Sequence, residues 1–250
     1  MPRTIVAGNW KMHKTAAQTR AFLEVFLPLA THIPSRIDIV IAPPFTALAT
    51  AHDVLRANTR VALGAQNVHW DLKGAYTGEI AVPMLREFDV RYVIVGHSER
   101  RALFNETDRT VNLKVKTLLA HDMTPIIAVG ETFDERQAGH TEQRVVAQTV
   151  AALDGLDAAD VSRVVMAYEP IWAIGTGANC DPVEANHVMS TIRESVPGLR
   201  DVPILYGGSV KPENVASYSE MPDINGGLVG GASLEPEAFA TLIEAAVPHA

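Results

Sequence analysis

Eight short apolar segments constrain the fold more than any other feature of the chain. They are residues 4–7, 37–42, 61–63, 92–95, 125–129, 164–167, 203–205 and 228–229. Their continuous apolarity suits strands that are buried on both faces of a parallel sheet. Helical patterns separate them at intervals of about thirty residues, the size of a βαβ unit. This alternation favours a closed (β/α)8 barrel, an α/β fold, although a doubly wound sheet remains possible on the pattern alone.

Apolar stripes at helical spacing predict helices between the strands. The predicted buried stripes are Phe22, Val25, Phe26 and Leu29; Val111, Val115, Leu118 and Leu119; and Val145, Val146, Thr149, Val150 and Leu153. The clearest helix start is Asp181, because Pro182 follows it and Glu184 lies three residues after it. A cap carboxylate, a first-turn proline and a glutamate at this spacing predict that a helix begins there.

Length and composition indicate one large globular domain. At 250 residues the chain exceeds the prior of roughly 150 residues per domain, but α/β barrels of this length form a single domain. Hydrophobic residues make up 47% of the chain, enough for a large core, and no Pro/Gly/Ser-rich linker divides it. Residues 1–250 are therefore predicted to be a single domain.

Charge and cysteine content exclude several classes of partner. The formal charge of -8 argues against nucleic acid, which proteins bind through clustered Lys and Arg. No apolar run approaches the roughly 18 residues of a membrane helix, so no membrane partner is expected. A single cysteine, Cys180, permits neither an intramolecular disulfide nor a cysteine-based zinc site, and a cytoplasmic location is predicted.

Polar residues directly after the strands indicate the chemistry, because strand ends gather at the C-terminal face of a barrel. Lys11, His97 and Glu169 follow the first, fourth and sixth apolar segments. A cation, an imidazole and a carboxylate predict proton transfer, and no H-E-x-x-H or other metal-ligand set is present. Glycine-rich turns at 207–209 and 230–233, with a helix beginning beyond Ser233, predict that the site binds a small phosphorylated substrate.

Each of these residues also has a purely structural interpretation. A lone glutamate more often pairs with an arginine, but Glu169 precedes a proline and an apolar loop with glycine hinges. That context favours a catalytic base followed by a lid that ends at Gly177. His97 and Lys11, taken singly, are typical of a partly buried histidine and a surface charge, and Glu99 suits an ion pair. Trp10 is predicted to pack behind the site by strand alternation.

Seven motifs, spread from the first strand to the last, resemble the triosephosphate isomerase family. They are AGNWKM at 7–12, GAQN at 64–67, GAYTGE at 74–79, VGHSERR at 95–101, AYEPIWAIGTG at 167–177, YGGSV at 206–210 and LVGGAS at 228–233. The resemblance implies interconversion of dihydroxyacetone phosphate and glyceraldehyde 3-phosphate in a (β/α)8 barrel, without metal or cofactor. It also implies a homodimer in which the loop 68–79, with Val68 and Glu79 at its ends, enters the neighbouring subunit and Thr77 approaches the partner's active site.

The resemblance also assigns roles to individual residues. Glu169 would be the base, His97 the electrophile that polarises the carbonyl, and Lys11 and Asn9 the groups that stabilise the oxyanion. The phosphate would be held by backbone N–H groups of Gly175, Ser209, Gly230 and Gly231. The sequence departs from the usual family pattern at Ala128, His13, Ala178, Asn225 and Gly227, which carry none of these roles.

Two other functions are consistent with parts of this pattern. A related barrel could isomerise a neighbouring phosphosugar such as a tetrulose phosphate, because phosphate binding and enediol chemistry would be shared. A catalytically idle barrel could serve as a binding or structural protein. The presence of Asn9, Lys11, His97 and Glu169 together argues against the idle barrel.

Overall fold

Parallel strands close into a barrel in the computed structural model, which describes residues 2–175 and 179–247. The strands are β1 (Thr4–Asn9), β2 (Ile37–Ala42), β3 (Val61–Ala65), β4 (Tyr92–Val95), β5 (Thr124–Val129), β6 (Val165–Tyr168), β7 (Ile204–Tyr206) and β8 (Gly226–Val229). Each pairs with the next in chain order, and β8 pairs with β1. All the predicted strands are confirmed to within two residues at each end, and the closure excludes an open doubly wound sheet.

Helices surround the barrel. Those in the described residues are α1 (Ala16–Ala30), α2 (Leu48–Leu55), α3 (Val82–Arg86), α4 (Ser98–Leu103), α5 (Asp108–Leu119), α6 (Phe133–Gln137), α7 (Thr141–Leu153), α8 (Ala158–Val161), α9 (Pro182–Ser195), α10 (Val215–Ser219) and α11 (Pro236–Ala245). The predicted start at Asp181 is confirmed, because its carboxylate accepts the N–H groups of Val183 at 2.9 Å and Glu184 at 3.3 Å. None of the described helices is long and apolar enough to cross a membrane.

Two apolar layers explain why the strands read as continuous apolar segments. Alternate strand residues fill the barrel interior: Ile5, Ala7, Val40, Ala42, Ile94, Ile126, Val165, Ala167, Leu205 and Leu228. The residues between them, such as Val6, Ile39 and Val93, pack outward against the helices. Burial on both faces removes the polar alternation of a half-exposed strand, as predicted.

For two residues of the predicted helical stripes, the prediction of burial is wrong. Val25 of α1 is 44% exposed and Val150 of α7 is 46% exposed. The buried residues of α1 are Thr19, Phe22, Leu23, Phe26 and Ala30. The centre of that face lies roughly 120° around the helix from Val25, at 3.6 residues per turn. Helical periodicity identified the helices but left the rotation of their buried faces uncertain.

Trp10 forms the wall behind the site, as predicted. Its side chain is completely buried, its indole N–H donates to the Ser233 carbonyl at 3.0 Å, and its ring meets Phe22 edge-on at 4.7 Å. This packing ties the end of β1 to the turn after β8.

Candidate active site

A pocket of about 500 Å³ opens at the C-terminal ends of the strands. It is lined by every residue to which the sequence assigned a site role, namely Asn9, Lys11, His97, Glu169, Gly175, Ser209, Gly230 and Gly231. Strand order explains this convergence, because β1, β4, β6, β7 and β8 all end at the same rim of the barrel.

Glu169 and His97 face each other at the floor of this pocket. Glu169 is only 2% exposed, and its Oε1 lies 3.0 Å from His97 Nε2. Its Oε2 accepts the backbone N–H of Ser98 at 2.9 Å. Burial raises the pKa of Glu169, but the His97 ring and the Ser98 N–H more than offset that effect, so the net pKa is lowered. Glu169 is therefore a carboxylate at neutral pH, in position to accept a proton.

Hydrogen bonds fix the tautomer of His97. Its Nδ1 accepts the N–H of Glu99 at 3.2 Å, at the first turn of α4, so the ring proton lies on Nε2. Burial lowers the pKa of His97, whereas the charge and hydrogen bond of Glu169 outweigh burial and leave the pKa raised. In the neutral ring that the Glu99 N–H requires, Nε2–H points at Glu169 and can donate to a substrate oxygen.

Lys11 is held in an unusual backbone conformation at the edge of the pocket. Its φ angle is +50°, which is uncommon for a residue with a side chain. Asn9 Oδ1 accepts the Lys11 N–H at 3.0 Å, and Gln66 Nε2 donates to the Lys11 carbonyl at 2.9 Å. The Lys11 ammonium lies 2.7 Å from Glu99 Oε1, which confirms the ion-pair interpretation of Glu99. Gln66 lies in the GAQN motif, but sequence reasoning gave it no such supporting role.

Two glycines make room for Glu169. A Cβ at Gly130 would lie 1.7 Å from the Glu169 carbonyl oxygen, and a Cβ at Gly207 would lie 2.9 Å from Glu169 Cγ. A side chain at Gly130 would displace the Glu169 backbone, and one at Gly207 would crowd the Glu169 side chain. Gly130 follows β5 and Gly207 follows β7, and only the close approach of β5, β6 and β7 shows why glycine is needed at both positions.

Main-chain turns surround the other end of the pocket. Gly207, Gly208 and Ser209 follow β7, and Gly230 begins a short 3₁₀ turn over Gly231–Ser233. The predicted helix beyond Ser233 is α11, which begins at Pro236. Lys211 also lines the pocket and adds a cation that sequence reasoning missed. Exposed N–H groups in such turns, with a nearby lysine, suit an anion.

The segment after Glu169 is anchored where it begins. Its 3₁₀ turn, Ile171–Ala173, carries Trp172, whose indole N–H donates to Glu131 Oε1 at 2.7 Å. The guanidinium of Arg136 lies 4.1 Å from the centre of the Trp172 ring. Ile174 and Gly175 line the pocket, whereas residues 176 and 177 of the predicted lid lie outside the described residues.

The glutamate that holds Trp172 is itself buried. The Tyr168 hydroxyl donates to Glu131 Oε1 at 3.2 Å, and burial raises the pKa of Glu131 despite these hydrogen bonds.

Within residues 2–175 and 179–247 there is no group of three or more His, Cys, Asp or Glu side chains that could hold a metal ion.

Comparison with known proteins places the chain in a family. The family model described as triosephosphate isomerase matches residues 4–246. The triosephosphate isomerase of a Synechococcus strain is 51% identical over 242 residues, 97% of this chain and 98% of that protein. The enzymes of that name from Nostoc punctiforme and Caldanaerobacter subterraneus are 50% and 47% identical, each over 97% of this chain and 98% and 99% of their own lengths. The chain belongs to the triosephosphate isomerase family.

Proposed function

We propose that the chain interconverts dihydroxyacetone phosphate and glyceraldehyde 3-phosphate, the isomerisation by which this family serves glycolysis and gluconeogenesis. The observation that carries the proposal is the buried contact between Glu169 and His97, 3.0 Å apart, in a pocket that also holds Lys11. A base and an N–H donor at that spacing can act on adjacent atoms of a small α-hydroxy carbonyl compound.

The proton moves between the two carbons that differ in oxidation level. The Glu169 carboxylate removes a proton from the carbon next to the carbonyl, and the C–H electron pair forms the double bond of an enediolate. Such a proton is weakly acidic, so the barrier falls only if the new oxyanion is stabilised as it forms. A second proton must pass from the hydroxyl oxygen of the first carbon to the enediolate oxygen of the second, and His97 Nε2 is placed to transfer it. Return of the carbon-bound proton to the neighbouring carbon then completes an isomerisation in which no atom is gained or lost.

Three donors are available to that oxyanion. His97 Nε2–H, the Lys11 ammonium and the Asn9 amide line the pocket together. In the described conformation, Glu169 occupies His97 Nε2 and the Ser98 N–H. Substrate binding therefore requires Glu169 to exchange these partners for the substrate C–H, which frees His97 to donate to the substrate oxygens. No electron is transferred to another molecule, so the proposed reaction uses protein groups alone.

The phosphate belongs at the other end of the pocket. We assign its binding to the backbone N–H groups of Gly175, Ser209, Gly230 and Gly231, and Lys211 adds positive potential. Ile174, beside Gly175, would shield the enediolate from water, which limits loss of phosphate from the intermediate.

The activity is tested by steady-state turnover of glyceraldehyde 3-phosphate beside a four-carbon phosphosugar. Rapid turnover of the triose alone supports the proposal, whereas preference for the longer sugar would support the alternative isomerase. Glu169→Asp retracts the carboxylate by one methylene and should lower kcat by about 10²- to 10⁴-fold. Glu244→Gln, which changes an exposed carboxylate on α11, is the matched control and should keep full activity. A Glu169→Asp enzyme with the kcat of wild type would contradict the assignment of the base.

We also propose a homodimer in which residues 68–79 of one copy dock beside the active site of the other. A groove of about 210 Å³ next to the pocket is lined by Lys11 and His97 and by two exposed apolar residues, Met12 and Phe104. Met12 is 94% exposed and Phe104 is 63% exposed, so a partner would cover apolar surface at the edge of the site.

The proposed docking loop is ordered by its own aromatic contacts. The His69 ring lies 4.1 Å from the centres of both the Trp70 and Tyr76 rings. Sedimentation should give a dimer, and Phe104→Asp should give a less active monomer. Val150→Asp, at an exposed apolar residue outside the groove, should leave the dimer intact. A fully active wild-type monomer would contradict the proposal.

Finally, we propose that the chain is one domain that works in the cytoplasm. The unbroken order of the strands around the barrel supports a single domain. The single cysteine suits a reducing compartment such as the cytoplasm. A single calorimetric transition and cofractionation with soluble enzymes would be the expected results. Two separate transitions, or an extracellular protein, would contradict them.

A further inference from the structure

Tyr218 does not line the active-site pocket, yet it contacts the end of β7, whose following turn lines the phosphate end of that pocket, and the residue Cys180 before α9. It belongs to α10 and is only 2% exposed. Its ring stacks on that of Tyr206, with centroids 4.2 Å apart and planes 14° from parallel. Tyr206 is the last residue of β7, so this stack ends directly before the turn formed by Gly207, Gly208 and Ser209.

The two tyrosine hydroxyls hold both backbone groups of Cys180. The Cys180 N–H donates to the Tyr206 hydroxyl at 3.3 Å, and the Tyr218 hydroxyl donates to the Cys180 carbonyl at 2.5 Å. Burial raises the pKa of Tyr206, so its phenol stays protonated. Cys180 directly precedes Asp181, the N-cap of α9. These two hydrogen bonds therefore hold the backbone in place directly before α9 begins.

Tyr206 also lies against the proposed phosphate-binding turn. A Cβ at Gly208 would lie 2.2 Å from the Tyr206 hydroxyl oxygen, so that hydroxyl is in direct contact with the Gly208 backbone. Movement of the Tyr206 ring would therefore shift Gly208 and, with it, the N–H of Ser209. The contacts run from Tyr218 through Tyr206 to the turn without an intervening gap.

We propose that Tyr218 is a positioning residue for phosphate binding. It acts through Tyr206 and sets the location of the turn that donates N–H groups to the substrate phosphate. This inference rests on the proposed function for the identity of the anion. Donors of this kind must be held to within about 0.5 Å, and a displacement of about 1 Å can cost a hundredfold in rate.

Two substitutions separate the parts of this contact. Tyr218→Phe keeps the stack but removes the donor to the Cys180 carbonyl, whereas Tyr218→Leu removes both. Tyr92→Phe is the matched control, because Tyr92 begins β4 at the opposite end of the barrel. The measurements are kcat and KM for glyceraldehyde 3-phosphate, Kd for 2-phosphoglycolate, and turnover of glyceraldehyde, which lacks the phosphate.

Selective loss of phosphate binding is the expected result. Loss of one buried hydrogen bond, worth about 1 kcal/mol, should weaken 2-phosphoglycolate binding by Tyr218→Phe about fivefold. Tyr218→Leu should weaken it by about ten- to a hundredfold, with KM raised in parallel. Turnover of glyceraldehyde should stay within about twofold of wild type, because that substrate makes no phosphate contact. Tyr92→Phe should match wild type in every measurement.

Other outcomes overturn the inference. Equal losses with both substrates, or a lower Tm with an unchanged Kd, would show that Tyr218 only packs the fold. If Tyr218→Leu fails to fold, Tyr218→Phe still decides the question, since the change is a single hydroxyl. A wild-type protein that does not turn over the triose phosphate would contradict the proposed function, while the Kd measurement would still test Tyr218.

Discussion

Replacing Glu106 with glutamine should destabilise the protein more than replacing Glu106 and Lys114 together. Glu106 is buried, and one oxygen accepts from Lys114 Nζ at 2.7 Å and Arg100 Nε at 2.8 Å. Its other oxygen accepts the N–H of Gly96, directly before His97, at 2.7 Å. Loss of the carboxylate leaves the buried Lys114 ammonium without its counter-charge.

The two pKa shifts show why the pair and the single charge differ. For Glu106, burial raises the pKa, but the Lys114 charge and three hydrogen bonds more than offset it, so the pKa is lowered. For Lys114, burial lowers the pKa and the Glu106 charge offsets that effect only in part, so the net pKa is lowered. The lowered pKa of Glu106, taken alone, would indicate that the ion pair strongly stabilises the fold. The lowered pKa of Lys114 indicates instead that burying the pair costs free energy. We favour a pair near balance, because the desolvation of both ions must be counted.

The magnitude follows from that balance. Removing one partner of a buried pair costs about 3–5 kcal/mol, which for a chain of this size lowers Tm by about 6–20 °C. Glu106→Gln with Lys114→Met removes both charges and should recover most of that loss. The stabilising effect of Glu106 is present above its unfolded pKa and is lost as the pH falls through its lowered folded pKa. The difference between wild type and Glu106→Gln should therefore shrink in acid.

Thermal unfolding followed by circular dichroism at neutral pH compares wild type with Glu106→Gln and with the double variant. Glu142→Gln is the control, because Glu142 pairs with His187 at the surface and should change Tm by less than about 2 °C. The reasoning would be refuted if Glu106→Gln unfolded within about 2 °C of wild type, or if the double variant unfolded at a lower temperature than Glu106→Gln.

Three further predictions concern the active site. Gly130→Ala should lower kcat by about a hundredfold, because its Cβ would displace Glu169. The control is Gly139→Ala, whose Cβ would point into open space and should leave kcat at the wild-type value. Equal kcat values for the two variants would contradict this prediction. Gln66→Leu removes the hydrogen-bond donor to the Lys11 carbonyl and should lower kcat, while the far-ultraviolet circular dichroism spectrum stays unchanged. An unaltered kcat would show that the position of Lys11 does not depend on this hydrogen bond. Because the pKa of Glu169 is lowered, the base is lost only as the pH falls through that lowered pKa. Carbon-13 titration of its carboxyl should therefore give a midpoint below that of an unperturbed glutamate, and a midpoint at or above that of an unperturbed glutamate would refute this.

The strands and the placement of the catalytic groups could be predicted because both depend on local order in the sequence. An apolar segment that ends in polar residues identifies a strand end, and barrel closure then brings Lys11, His97 and Glu169 to one rim. The orientation of a helix depends on its neighbours, which is why Val25 was wrongly assigned to the core.

Contacts between distant segments account for what the sequence did not reveal. Glu184 has the spacing of a capping-box residue, but Arg136 from α6 binds its carboxylate at 2.6 Å. Lys211 and Gln66 gain their roles only when the barrel closes. Gly130 resembles an ordinary turn glycine until β5 and β6 are placed side by side. In each case the partner is far away along the chain, beyond the reach of spacing rules.

The burial of Cys180 has a consequence for chemical durability. The thiol is fully buried, and burial raises its pKa to about 12. Thiolate is the form that oxidants and alkylating agents attack, so at neutral pH only about one molecule in 10⁵ carries the reactive species. The protein therefore presents no reactive sulfhydryl while folded, and peroxide or iodoacetamide should spare its activity until the barrel opens.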